Sequence, residues 1–98
     1  MKKINEEKIL EEIKKNKEII KKKSVKKIGL FGSFAKNQHT SKSDIDILVE
    51  FDEPTFNNYT SVLHFLEKML KRKIDLVIES DLKPELDYVK KQAKYVKI

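Results

Sequence analysis

The sequence predicts a small α/β (α+β) fold in which helices flank a mixed β-sheet of three to four strands. Three observations lead there. Short apolar runs at 28–31, 45–51 and 74–78 have strand length and are bounded by polar turns. The stretches before and between them carry apolar residues at helical spacing. The resulting order is helix, strand, turn of helix, strand, helix, strand, helix, which suits helices layered on a sheet. A chain of 98 residues is expected to form one domain, 1–98, with a small core.

Ile9, Leu10, Ile13 and Ile20 recur among charged residues, so residues 5–22 are expected to form an amphipathic helix. Residues 24–31 follow as a strand, with Ile28 and Leu30 on one face. Gly32 leads directly into one helical turn over 33–36, and the polar stretch 37–42 is expected to be loop. Residues 46–51 make a second strand, which Asp52-Glu53-Pro54 ends. Tyr59, Val62, Leu63, Leu66, Met69 and Leu70 mark a second amphipathic helix over 57–71. Lys71-Arg72-Lys73 sets cations at its negative end. In 74–78, Ile74, Leu76 and Ile78 alternate with Asp75 and Val77. Ser80 or Asp81 then caps a last helix with Pro84 in its first turn. Leu86, Val89 and Ala93 form its inward face, and 95–98 closes as a short strand.

The absence of cysteine excludes a disulfide framework and a thiolate zinc site. No apolar stretch reaches membrane-spanning length, and the lysine-rich start lacks an apolar signal core. A cytoplasmic protein with no membrane partner is therefore expected. The net charge is +6, and the eleven lysines and five glutamates of residues 1–27 account for all of it. Because the glutamates are interleaved, a solvated helix face is favoured, with nucleic acid a secondary partner. An exposed apolar helix face would suit a homo- or hetero-oligomer.

The chemistry concentrates in one pattern. Gly32-Ser33 ends the first strand, and a small-residue turn lets backbone N–H groups approach a phosphate. Asp44 and Asp46, spaced i, i+2 where the second strand opens, point to one face. Asp75 opens the third strand in the same way. If those strands are neighbours, three carboxylates meet on one face, which is unfavourable unless cations neutralise them. Magnesium is the natural counterion, and a metal pair there would serve phosphoryl displacement. The turn would hold the departing phosphates, and Lys36 would add positive charge. Other polar residues have plainer readings. Ser43 braces the turn before Asp44, His39 is a solvated loop residue, His64 is surface, and Glu50 is an exposed strand-end charge. Tyr59 and Phe56 are expected as core or groove lining, and Tyr88 and Tyr95 as partner contacts.

Gly32-Ser33-Phe34-Ala35-Lys36, then Ser43-Asp44-Ile45-Asp46-Ile47-Leu48-Val49, then Ile74-Asp75-Leu76-Val77 together resemble the minimal nucleotidyltransferases of the DNA polymerase β-like superfamily, over residues 25 to 80. The resemblance implies transfer of AMP from ATP with release of pyrophosphate. It implies metal binding by Asp44, Asp46 and Asp75, with Asp75 also helping to deprotonate the acceptor hydroxyl. It further implies that Gly32 and Ser33 bind the triphosphate. Stand-alone members commonly act as antitoxins that add AMP to a tyrosine of a helical HEPN ribonuclease toxin. Two positions depart from the usual pattern: Lys36 replaces an arginine and Asn37 a glycine. Lysine keeps the charge and loses the bidentate fork, which motivates an alternative, an antitoxin subunit that neutralises its toxin by binding alone. Asparagine tolerates a left-handed backbone better than most residues.

Overall fold

The computed structural model describes residues 4–36, 38–40 and 42–98; the expectation placed on Asn37 lies outside them. Helices α1 (Glu6–Lys15) and α2 (Lys17–Lys22) precede strand β1 (Val25–Phe31) and the short α3 (Gly32–Ala35). Strand β2 (Ile45–Phe51), helix α4 (Phe56–Leu70) and strand β3 (Ile74–Ile78) follow. Two 3₁₀ turns, Glu79–Asp81 and Pro84–Leu86, lead to α5 (Tyr88–Gln92) and β4 (Lys94–Val96). The sheet order is β3-β2-β1-β4. Only β2 and β3 pair in parallel; β1 runs antiparallel to β2 and to β4. The expected mixed sheet is thus present, with four strands.

Side-chain alternation divides the sheet. Ile28 and Leu30 of β1, Ile45, Ile47, Val49 and Phe51 of β2, and Ile74 and Leu76 of β3 join one core with Ile9, Ile13 and Ile20 of the N-terminal helices and Val62, Leu66 and Leu70 of α4. The opposite face carries Phe31, Asp46 and Asp75 in one register row, and Gly29, Leu48 and Val77 in the next. Burial of one face fixes this register, because a slip by one residue would drive the carboxylates into the helix-packed core.

Two expectations are corrected. The helix expected over 5–22 is two helices meeting at Asn16, whose backbone leaves helical values (φ −108°, ψ 17°). The Asn16 side-chain amide donates to the Glu12 carbonyl at 2.8 Å, and such local bonding competes with helix continuation. The last helix is also shorter than expected. Leu82 and Lys83 are extended, since the residue before a proline is pushed out of the helical region. Pro84 therefore starts only a 3₁₀ turn, and Leu86 is 38% exposed rather than inward. Among the described residues no helix is long and apolar enough to cross a membrane.

Candidate active site

The site forms where β1 ends and β2 and β3 begin. β1 runs directly into α3 through Gly32, which holds φ +74°. This left-handed conformation suits a residue without a Cβ. Space imposes the same choice. A Cβ at Gly32 would fall 2.1 Å from Oδ2 of Asp46, so the carboxylate packs directly on the glycine backbone. The Ser33 N–H donates to that carboxylate, so the turn already presents a backbone donor to an anion.

β2 and β3 are parallel neighbours, and Asp46 pairs in register with Asp75. Their carboxyl groups adjoin, so that a proton on Asp46 is shared with Asp75. Burial, then the charge and hydrogen bond of Asp75, then the charge of Asp44, push the Asp46 carboxyl up to about 6, against a lowering contribution from the Ser33 N–H. Asp44 and Asp75 are exposed and Asp46 is half-buried. Asp44 reaches the pair through its charge; among the described residues no three acidic or imidazole groups already form a metal cage. The structure therefore brings Asp75 beside Asp46, which packs on Gly32 and Ser33, with Asp44 nearby on the loop before β2. Lys36 is exposed at the end of α3, its backbone N–H bonded to the Gly32 carbonyl at 3.1 Å.

The donor set suits magnesium on chemical grounds. It consists of hard carboxylate oxygens brought close as like charges, with Asp46, the partly buried one, held above its ordinary range first by burial and then by its acidic neighbours. Without metal, the raised Asp46 carboxyl has a defined stability consequence. The folded state holds this proton more tightly than the unfolded chain, so its contribution is full below about pH 4 and lost as pH rises through about 6. In chelator, Asp46→Asn should therefore raise Tm at pH 7.5, by about 2–6 °C. The gap should close as pH falls below 5, a comparison that differential scanning calorimetry provides.

Several neighbours were not legible as site residues. The Tyr59 hydroxyl donates to the Leu76 carbonyl at 2.5 Å; burial and the charge of Asp75 raise its pKa. Arg72 donates to the Thr40 and Ser43 carbonyls at 3.3 and 3.1 Å. His39 is not a solvated loop residue: its ring stacks on Phe34 with centroids 4.1 Å apart, and its Nδ1 is buried without a partner. Phe56 is neither core nor groove lining, being 79% exposed at the first position of α4. Glu50, expected as an exposed strand-end charge, is half-buried and accepts the Ser80 N–H at 3.0 Å. Tyr95 lies over Gly29 on β1, with its hydroxyl donating to Glu79 at 3.2 Å. Burial, then the Glu79 carboxylate, push that hydroxyl up to about 12. The single arginine in a lysine-rich chain was the one available sequence signal for Arg72. Ser43 does brace its turn, its Oγ accepting the Thr40 N–H at 2.8 Å.

Comparison with known proteins shows the family and the fold. The nucleotidyltransferase domain family matches residues 7–98. A Methanocaldococcus jannaschii chain bearing the name of a protein adenylyltransferase is 46% identical over 87 residues, 85% of each chain. The structure of a minimal nucleotidyltransferase superposes over 100% of both chains with a TM-score of 0.82 at 23% identity, a likeness of fold. A toxin–antitoxin crystal structure with AMP-PNP matches at 26% identity and a TM-score of 0.65, over 94% of this chain and 72% of that one.

Proposed function

The chain belongs to the nucleotidyltransferase domain family, and from that premise we propose that it is a magnesium-dependent protein adenylyltransferase. It moves AMP from ATP onto a tyrosine hydroxyl of a HEPN-type toxin and thereby acts as the antitoxin, in the cytoplasm. The observation that carries this reading is the pairing of Asp46 with Asp75 in register on parallel strands, with the Asp46 carboxylate packed on Gly32 beside Ser33. The adenylyltransferase relative and the AMP-PNP-bearing toxin–antitoxin assembly support the choice of nucleotide and partner.

In this reading Asp44, Asp46 and Asp75 hold magnesium. Magnesium, when bound, neutralises charge on the triphosphate and on the phosphoryl group in transfer. The Ser33 N–H, which now serves a carboxylate, is a donor for a phosphate oxygen. Gly32 lets the phosphates approach the backbone, and Lys36 supplies charge from the exposed end of α3. The acceptor oxygen attacks the α-phosphorus, the bond to pyrophosphate breaks, and a carboxylate oxygen of Asp75 takes the hydroxyl proton. Asp44 and Asp75 are open to solvent, so a hydroxyl on a docked protein can reach them, and docking supplies its orientation.

The test uses the protein with the toxin encoded beside it, ATP and magnesium. Mass spectrometry should find AMP on a toxin tyrosine. A folded toxin left at its original mass would overturn the reading. If an Asp44→Asn/Asp46→Asn variant still protects cells fully, neutralisation by binding alone is the better account.

A further inference from the structure

We propose that Arg72 is a positioning residue for Asp44: its guanidinium holds the loop carrying that carboxylate and so sets the metal affinity of the site. The inference rests on the reading of Asp44 as a metal ligand.

Asp44 lies outside regular structure, directly before the first residue of β2. Its local hydrogen bonds close the turn on itself. Ser43 N–H donates to the Thr40 carbonyl at 3.2 Å, Thr40 N–H to Ser43 Oγ at 2.8 Å, and Lys42 N–H to Thr40 Oγ1 at 3.2 Å. These bonds shape the turn without placing it relative to Asp75. Placement comes from the segment after α4. Lys71 takes a left-handed conformation (φ 54°) and turns the chain out of the helix. Arg72 then donates through Nη2 to the Thr40 carbonyl at 3.3 Å and to the Ser43 carbonyl at 3.1 Å. The Ser43 carbonyl belongs to the peptide group whose nitrogen is that of Asp44. On the far side of Asp44, the Ile45 N–H donates to the Lys73 carbonyl at 3.0 Å.

The Asp44 backbone is thus bracketed by two consecutive residues of one segment, and that segment delivers Asp75 two residues later. One segment thus sets the backbone at both exposed carboxylates relative to β2, which carries Asp46. The guanidinium also lies 5.4 Å from the Phe34 ring centroid, which ties it to α3 and the glycine turn. One guanidinium nitrogen serves two carbonyls while the flat group lies over the Phe34 ring, and an ammonium, a compact point charge, offers no such face. The chain uses lysine at every other basic position.

The experiment compares Arg72→Gln, Arg72→Lys, Asp44→Asn and the double variant Arg72→Gln/Asp44→Asn with the wild type. Mn²⁺ binding to the metal-free protein is followed by electron paramagnetic resonance, and amide hydrogen exchange is followed at Lys42, Ser43 and Ile45. Arg72→Gln should weaken Mn²⁺ binding about tenfold, as loss of an outer partner of a ligand does, and speed exchange at those amides. Arg72→Lys should fall between Arg72→Gln and the wild type. In the Asp44→Asn background the Arg72 change should have no further effect on Mn²⁺ binding. Wild-type Mn²⁺ affinity in Arg72→Gln, or in Arg72→Lys should the glutamine variant not fold, would overturn the proposal, provided Asp44→Asn does weaken binding. Unchanged binding in Asp44→Asn would instead overturn the reading of Asp44 as a ligand, and the proposal with it.

Discussion

Asp46→Asn should lower the rate of AMP transfer about 10³-fold or more while leaving the protein folded. The reason is particular to this carboxylate. It sits between the Ser33 N–H and Asp75 and has the site's one clearly raised carboxyl, about 6. Asparagine keeps the size and a hydrogen-bonding side chain, and removes the charge that a metal ion needs. The same change relieves repulsion among like charges, so metal-free Asp46→Asn should be more stable than the wild type at neutral pH. Loss of activity with a gain in Tm cannot be assigned to misfolding. An initial-rate assay with the toxin substrate reads the first effect. Activity within about tenfold of wild type would remove Asp46 from the metal site.

Gly32→Ala should be nearly as damaging, through geometry alone. The added Cβ meets the Asp46 carboxylate at 2.1 Å, at a φ of +74° that L-residues rarely adopt. The backbone strain costs about 1–2 kcal/mol, and the carboxylate must leave the turn. A misplacement of about 1 Å at such a site is worth about 10²-fold in rate, so at least that loss is expected. Gly29→Ala is the control. Its Cβ would meet the Tyr95 ring at 2.7 Å, costing about 1–3 kcal/mol of stability through overpacking. It lies a register row away from Asp46 and should leave the transfer rate of the folded protein near wild type. Denaturant unfolding and kinetics on both variants separate the two effects. Equal loss of activity in both would mean that the glycine turn has no special role.

The strands and the carboxylate pair were legible because both depend on alternation. Ile74, Leu76 and Ile78 must face the core, which leaves Asp75 on the opposite face. Parallel pairing of β2 with β3 then sets it beside Asp46. Gly32 was legible as a turn residue, although the contact with Asp46 needs three dimensions. Other features depend on local competition or on distant partners. Asn16 reads as an ordinary polar residue on a helix face until its side chain takes the Glu12 carbonyl. Pro84 has the sequence signature of a helix start, but its effect on Lys83 delays the helix. In sequence Arg72 is a helix-end cation, because its partners are backbone carbonyls about thirty residues earlier, and a carbonyl has no signature in sequence. The stack of His39 on Phe34 joins a loop to a helix and leaves no periodic trace.

The most direct measurement of nucleotide transfer supplies the protein and the proposed toxin partner with magnesium and ATP labelled on either the α- or the γ-phosphate. The Asp46–Asp75 site acting as proposed predicts that α-label appears on a toxin tyrosine, in wild type but not in Asp46→Asn, while γ-label leaves as pyrophosphate. Label from the γ-phosphate on the toxin, or α-label transferred equally well by Asp46→Asn, would contradict it.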